Sequence, residues 1–139
     1  MTAPVTVPFE VQYHECDMQG VVFNAHYYTW ADVASTALWR AVRGGYDQLL
    51  ADGLDTVVVA SGCRYRAPAR WQDRLEATVD VVRVGTTSFT AATTFRRAGE
   101  LIAEVTVTYV FVARGGDRPI EPPAELRDAL VRRIVVRED

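Results

Sequence analysis

The first regular pattern in the chain is an alternation of apolar and polar residues near its start. Val7, Phe9, Val11 and Tyr13 alternate with Pro8, Glu10 and Gln12. This two-residue period is typical of a strand with one covered face. We therefore predict a first strand over residues 6–14.

A long apolar stretch follows over residues 25–43, in which only Asp32, Arg40 and Arg43 are charged. A helix that is apolar on most of its sides is enclosed by the rest of the fold. Asn24 is a candidate N-cap, and Gly44-Gly45 supplies a stop signal. The pattern predicts one long buried helix, with a short helical piece over residues 46–52 behind it.

The rest of the chain has mostly strand character. Apolar alternation predicts strands over residues 56–67, 74–84, 86–96 and 101–112, and a short amphipathic helix over residues 124–133. Tight turns at Gly85 and Ala98-Gly99 join neighbouring strands, which therefore pair antiparallel. We predict an α+β fold in which a curled antiparallel sheet of about five strands wraps the buried helix.

The last predicted strand has two different faces. One face is apolar throughout, whereas the other is polar in its middle and ends on Val110 and Val112. A monomer would leave that apolar end exposed to water. We therefore expect part of the outer sheet to meet another subunit.

Length and composition narrow the class of protein. The 139 residues suit a single domain over residues 1–139, and the net charge of −3 gives no positive field for nucleic acid or an anionic membrane. No apolar run reaches the roughly 18 residues that span a bilayer. Two cysteines are too few for a disulfide framework, and the N-terminal residues lack a signal-peptide pattern. We expect a cytoplasmic protein.

The candidate chemistry lies between the first strand and the long helix. The segment reads Asp17-Met-Gln-Gly20-Val-Val-Phe-Asn24-Ala-His26-Tyr27-Tyr28. A carboxylate beside the amide-rich start of a buried helix can act on a substrate whose carbonyl those amides polarise. Taken alone, Asp17 is more typical of a turn or cap residue than of a catalytic one, since Gly20 follows it.

This segment, together with Ala67-Pro68-Ala69-Arg70 and Ser88-Phe89, resembles the hotdog-fold acyl-CoA thioesterases, and more narrowly the 4-hydroxybenzoyl-CoA thioesterase family. The resemblance extends from residue 5 to about residue 125. It implies a hotdog fold, a homodimer or homotetramer, and hydrolysis of an acyl thioester to free acid and thiol. Asp17 would be the catalytic base or nucleophile, and backbone amides near Asn24 would hold the thioester carbonyl. No metal or cofactor is implied, since coenzyme A is part of the substrate.

The resemblance also implies substrate contacts, at Gly20, Val22, Asn24, His26 and Tyr27. Tyr27 matches a recurrent aromatic for which packing is the first expected role. Asn24 stands where relatives often have Tyr or His, and His26 where they often have Asn, so side-chain roles at these positions stay open.

The thiol carrier of the substrate is a second open point. Relatives hold the coenzyme A nucleotide with basic residues at positions where this chain has Gly85, Thr86 and Thr87. An acyl carrier protein thioester is therefore an alternative substrate. A non-catalytic module that binds acyl thioesters is another alternative, and Asp17 argues against it.

Other reactive side chains in the sequence suggest weaker hypotheses. On a strand, His14 and Cys16 would face away from Glu15 and Asp17, so we predict no metal site. Neither cysteine has a clear histidine partner for nucleophilic catalysis. The arginines have two possible roles, a solvated sheet edge or phosphate binding, and they are Arg64, Arg66, Arg70, Arg96 and Arg97.

Overall fold

The computed structural model describes residues 2–135. Its strands are β1 Val5–Glu10, β2 Leu54–Tyr65, β3 Arg74–Val84, β4 Ser88–Arg97 and β5 Glu100–Ala113. Its helices are α1 His26–Arg43, α2 Tyr46–Ala51 and α3 Ala124–Val131, and a 3₁₀ turn covers Tyr13–Glu15.

The five strands form one antiparallel sheet in the order β1-β3-β4-β5-β2. Consecutive strands from β3 to β5 are neighbours because tight turns join them, and Ala98 and Gly99 both adopt positive φ in the turn between β4 and β5. Strands β1 and β2 form the two edges of the sheet. The predicted α+β fold with an antiparallel sheet of about five strands is confirmed.

The core lies between one face of α1 and the inner face of the sheet. Trp30 on α1 stacks on Phe9 at 5.6 Å between ring centroids, and Trp39 meets Phe89 edge-on at 5.6 Å. Ala34, at the middle of this face, is 0% exposed. Aromatic rings packed in this way, together with the buried aliphatic side chains around them, hold helix and sheet together.

The opposite face of α1 is not enclosed within the single chain. Tyr28 and Val33 on that face are 37% and 48% exposed. The expectation of a helix that is enclosed on most sides is therefore wrong for one chain, because the sheet covers α1 from one side only.

The first strand is shorter than predicted, since β1 ends at Glu10 rather than at residue 14. The Gln12 amide donates to the Glu15 carboxylate at 2.7 Å, and the Glu15 amide donates to the Gln12 carbonyl at 3.0 Å. These local bonds turn the backbone into the 3₁₀ turn and leave Tyr13 75% exposed. The apolar alternation through Tyr13 therefore does not continue the strand.

The two predicted ends of α1 differ in outcome. Gly44 is a left-handed C-cap with φ 82°, and its amide donates to the Arg40 carbonyl at 3.0 Å, so the predicted stop is confirmed. The predicted N-cap is wrong: the capping residue is Ala25, and no side chain caps this end of the helix. Asn24 instead offers its backbone carbonyl, which accepts a hydrogen bond from Tyr65.

The prediction of an exposed apolar patch at Val110 and Val112 is wrong for Val112, which is only 2% exposed, whereas Val110 is partly exposed. The chain beyond β5 folds back against the strand end. Val112 pairs with Pro119, and the Ile120 amide donates to the Phe111 carbonyl at 2.9 Å.

No helix within residues 2–135 is both long and apolar enough to cross a membrane.

Candidate active site

Asp17 lies at the start of a tight hairpin between the 3₁₀ turn and α1. Its amide donates to the Val21 carbonyl at 2.9 Å, and its carbonyl accepts from the Gly20 amide at 2.9 Å. Gly20 closes this turn with φ +76°, a conformation that favours glycine. A Cβ at Gly20 would meet no atom of the chain within 4 Å, so the backbone conformation accounts for the glycine.

The Asp17 carboxylate is held by one oxygen only. Oδ1 accepts a hydrogen bond from the Gln19 amide at 2.8 Å. Oδ2 makes no hydrogen bond to any group of residues 2–135, and the side chain is only partly buried. One oxygen therefore orients the carboxylate and the other is available to water or to a substrate.

The hairpin is fixed to the segment that precedes β3. The Val22 amide donates to the Ala69 carbonyl at 2.8 Å, and the Phe23 amide donates to the Glu15 carbonyl at 2.9 Å. Val22 itself is 5% exposed. Backbone bonds on both sides of the hairpin hold Asp17 in a defined place relative to the sheet.

Glu15 ties the same loop to the long helix, and this group of contacts is called the Glu15 clamp. Its Oε1 accepts from the Gln12 amide at 2.7 Å, and its Oε2 accepts from the Trp30 indole Nε1 at 2.7 Å. Trp30 is 5% exposed, so its indole N–H needs a protein partner. Glu15 was considered above only as a metal ligand, so this role is one that the sequence pattern did not predict.

The start of α1 leaves backbone donors without partners. The His26 amide donates to the Phe23 carbonyl at 3.0 Å and the Tyr28 amide to the Ala25 carbonyl at 3.2 Å. The amides of Asn24 and Ala25 donate to no group of residues 2–135. Partner-free amides at the positive end of a helix dipole form a site for developing negative charge.

Tyr65, at the end of β2, holds this helix start from across the fold. Its hydroxyl donates to the Asn24 carbonyl at 2.9 Å, and its ring meets the Tyr27 ring edge-on at 5.7 Å. Desolvation, followed by a hydrogen bond with Cys63, raises the pKa of Tyr65 to about 12, so the hydroxyl stays protonated and keeps donating. No local pattern predicts this contact, because the two residues are 41 positions apart in the chain.

Tyr27 lies behind the site as part of the core. It is 3% exposed and meets Trp30 and Phe95 edge-on at 5.3 and 5.5 Å. Burial, followed by the nearby Cys63 side chain, raises the pKa of Tyr27 to about 12. The ring is therefore neutral at physiological pH, in keeping with the packing role expected of it.

Two clefts adjoin Asp17. The first, here called the helix-start cleft, has a volume of about 370 Å³ and is lined by Asp17, Gln19, Val21, Val22, Asn24, Tyr27, Tyr65, Arg66, Ala67 and Pro68. The second, here called the aromatic cleft, has a volume of about 900 Å³ and is lined by Tyr13, Cys16, Asp17, Met18, Gly20, Arg70 and Trp71.

The predicted site residues thus divide between the clefts. The helix-start cleft brings together Asp17, Val22, Asn24 and Tyr27, whereas Gly20 faces the aromatic cleft. His26 lines neither of these clefts, and its ring instead meets Phe23 edge-on at 5.9 Å.

One of the arginines considered for phosphate binding is already engaged. Arg97 donates to the Asp73 carboxylate at 2.6 Å, to the Glu100 carboxylate at 2.6 Å and to the Pro68 carbonyl at 3.1 Å. Burial opposes ionisation of Asp73, but its hydrogen bonds from the Arg70 amide and from Arg97 leave its pKa below the ordinary value. Arg97 therefore anchors the segment that carries Pro68 and Asp73.

The cysteines and metal-binding residue types form no second reactive centre in the part of the chain described. Burial raises the pKa of the Cys63 thiol, which lowers its reactivity, and both free cysteines pack against the core. Residues 2–135 hold no group of three or more His, Cys, Asp or Glu side chains placed to bind a metal ion.

Known proteins share this fold. The dynemicin thioesterase superposes with a TM-score of 0.85 at 27% identity, covering 97% of this chain and 100% of that one. The PA5185 protein of Pseudomonas aeruginosa superposes with a TM-score of 0.79 at 32% identity, covering 93% of this chain and 90% of its own. In sequence, the acyl-CoA thioester hydrolase YbgC of Escherichia coli is 32% identical over 81 residues, which is 58% of this chain and 60% of that protein.

The fold and the match to a family model together define a hotdog-fold thioesterase, as the resemblance implied. Residues 19–104 match the thioesterase superfamily, and the chain belongs to that superfamily. Membership identifies it as an enzyme that hydrolyses thioesters. The narrower assignment to the 4-hydroxybenzoyl-CoA thioesterase family stays a prediction.

Proposed function

We propose that this enzyme hydrolyses an acyl-CoA to a free acid and coenzyme A, and that Asp17 is its catalytic carboxylate. The observation that carries the proposal is the meeting of two features at the helix-start cleft. One is the Asp17 carboxylate, with an oxygen free to react. The other is the helix start, where the amide of Asn24, which lines the cleft, and that of the adjoining Ala25 have no partner in residues 2–135.

The amides supply the electrophilic half of the reaction. Attack on a thioester carbonyl places negative charge on its oxygen, and fixed N–H donors stabilise that charge without reorganising. Tyr65 is a positioning residue in this scheme, because its bond to the Asn24 carbonyl holds the peptide that leads into these donors.

Asp17 supplies the nucleophilic half in one of two ways. As a base it accepts a proton from water while the water oxygen bonds to the carbonyl carbon, and the proton passes to the thiolate once the C–S bond breaks. As a nucleophile it forms an acyl-aspartyl anhydride with loss of the thiolate, and water then hydrolyses the anhydride. Thiolates leave readily, so neither route calls for a metal or further cofactor.

The identity of the thiol carrier rests on relatives. YbgC is named as an acyl-CoA thioester hydrolase, which supports coenzyme A as the carrier. Hydrolysis of an acyl carrier protein thioester is the alternative, and a module that only binds acyl thioesters is a further one. We propose a cytoplasmic location, consistent with two free cysteines.

We further propose a homo-oligomer, at least a dimer, built on the free edge of β2. Val57, Val58 and Val59 on this outer strand are 42%, 59% and 57% exposed. An exposed apolar edge strand is a template for pairing with a second strand. Pairing of two β2 edges would continue the sheet across two protomers.

A thiol-release assay over a panel of aliphatic and aromatic acyl-CoAs tests the proposal. We expect turnover of at least one acyl-CoA. Binding without thiol release on every substrate would instead identify a binding module. Release only from acyl carrier protein thioesters would favour the alternative carrier.

A further inference from the structure

The aromatic cleft exposes two large rings beside Asp17. Trp71 is 54% exposed and Tyr13 is 75% exposed, and the two rings meet edge-on at 5.5 Å between centroids. The other tryptophans, Trp30 and Trp39, are at most 5% exposed. An exposed indole beside a second aromatic ring offers a flat apolar face on which a planar group can stack.

The same cleft holds Arg70, whose charge interacts with the Asp73 carboxylate only at longer range. The Arg70 side chain forms no hydrogen bond or ion pair within residues 2–135, although its backbone amide donates to the Asp73 carboxylate at 2.9 Å. That carboxylate is instead paired with Arg97 at 2.6 Å. The Arg70 guanidinium is therefore available to an anion from outside the chain, and its planar fork suits phosphate.

We propose that the aromatic cleft binds the nucleotide end of coenzyme A, with adenine stacked on Trp71 and a phosphate on Arg70. This inference rests on the proposed hydrolysis of an acyl-CoA and assigns the direction in which that substrate lies.

The two clefts differ in size, as the small acyl end and the large anionic nucleotide end of an acyl-CoA do. The helix-start cleft has less than half the volume and is lined by Val21, Val22, Ala67 and Pro68 close to the free amides. It suits an acyl group whose carbonyl meets the helix start. The wider aromatic cleft carries the exposed rings and Arg70, which suits an anionic nucleotide, and Asp17 lines both clefts.

Arg66 is the competing cation, because it is exposed on the helix-start cleft. A phosphate on Arg66 would reverse the direction of the substrate. The variants Arg70→Ala and Arg66→Ala therefore discriminate between the two directions, and Arg83→Ala, at an exposed position on β3, controls for loss of a charge alone.

Calorimetric titration with adenosine 3′,5′-bisphosphate tests the site without any turnover. Stacking of a base on an aromatic ring contributes about 1–3 kcal/mol, so Trp71→Ala should weaken binding about 5- to 150-fold. Trp71→Phe should retain most of the affinity because it keeps an aromatic face, and Arg70→Ala should weaken binding as well. Absence of binding to the wild type, or affinity that falls with Arg66→Ala and not with Arg70→Ala, would overturn the proposal.

Kinetics on a matched pair of substrates supply the second arm. Acyl-CoA and acyl-pantetheine share the thioester and differ in the nucleotide. Trp71→Ala should raise KM for acyl-CoA with little change in kcat, and should leave KM for acyl-pantetheine near its wild-type value. An equal rise in both KM values would place the acyl group in the aromatic cleft and contradict the inference. If the wild type hydrolyses neither compound, the proposed function fails, and the bisphosphate titration still decides whether the cleft binds nucleotide.

Discussion

The Glu15 clamp predicts a measurable loss of stability in the variant Glu15→Gln. The carboxylate accepts two hydrogen bonds at 2.7 Å, one from the Gln12 amide and one from the Trp30 indole. Glutamine has the same shape but only one acceptor oxygen. One of the two donors must therefore lose its partner.

The size of the loss follows from where the donors lie. Trp30 is 5% exposed and cannot turn to water, whereas the exposed Gln12 amide can. We expect the remaining oxygen to stay with Trp30 and the bond to Gln12 to break. Loss of a hydrogen bond to a charged group costs about 1.5–3 kcal/mol, which lowers Tm by about 5–12 °C in a domain of this size.

Thermal unfolding followed by circular dichroism at fixed protein concentration measures this loss. Glu10→Gln is the matched control, because Glu10 is exposed on β1 and its carboxylate forms no hydrogen bond or ion pair within residues 2–135. In a Trp30→Phe background the effect of Glu15→Gln should shrink, since one donor is already gone. An unchanged Tm for Glu15→Gln, or the same loss in both backgrounds, would refute the clamp.

Three further predictions concern the helix, the positioning tyrosine and the subunit edge. Ala34→Arg should prevent folding, because an unpaired charge at a fully buried site costs several kcal/mol. Ala41→Arg, on the exposed side of α1, is the control and should fold. Soluble yield and melting curves measure both outcomes. Tyr65→Phe should lower kcat by up to about 10²-fold with KM and Tm little changed, because it frees the peptide that leads into the helix-start donors. Tyr28→Phe is the control: its hydroxyl makes no hydrogen bond in residues 2–135, so this variant should retain kcat. Light scattering should show at least a dimer, and Val58→Arg should dissociate it; a wild-type monomer at micromolar concentration would contradict the proposed edge pairing.

The sequence pattern correctly predicted those helix and strand boundaries that depend on neighbouring residues alone. Strand β3 has the predicted bounds, Arg74–Val84, because a half-buried antiparallel strand retains a clean two-residue period. The end of α1 was also predictable, since Gly44 adopts the left-handed conformation that stops a helix. The 3₁₀ turn after β1 contains the glutamate half of a capping box, in which the Glu15 carboxylate accepts from the Gln12 amide. Gln12 is not the Ser or Thr that usually opens such a box, so the turn was not evident from the sequence.

The errors arose where distant parts of the chain meet. Asn24 resembled an N-cap, but its contact comes from Tyr65 on the far side of the site. Val112 resembled a subunit contact, but the chain returns at Pro119 and buries it. The exposed apolar edge is instead on β2 at Val57–Val59, a run whose exposure follows from strand order and not from its own sequence. The roles of Asp17 and of the other proposed site residues stay predictions.

The kcat of Asp17→Asn on the best acyl-CoA tests the central claim most directly. Asparagine keeps an oxygen that can accept from the Gln19 amide at the position of Oδ1, so the hairpin should form and Tm should change little. It removes the negative charge that attacks the thioester or activates water, and loss of base catalysis typically lowers the rate by about 10²–10⁴-fold. We therefore expect a folded protein that binds acyl-CoA and hydrolyses it at least about 10²-fold more slowly. Wild-type turnover by the folded variant would remove Asp17 from the mechanism and leave it as a turn residue.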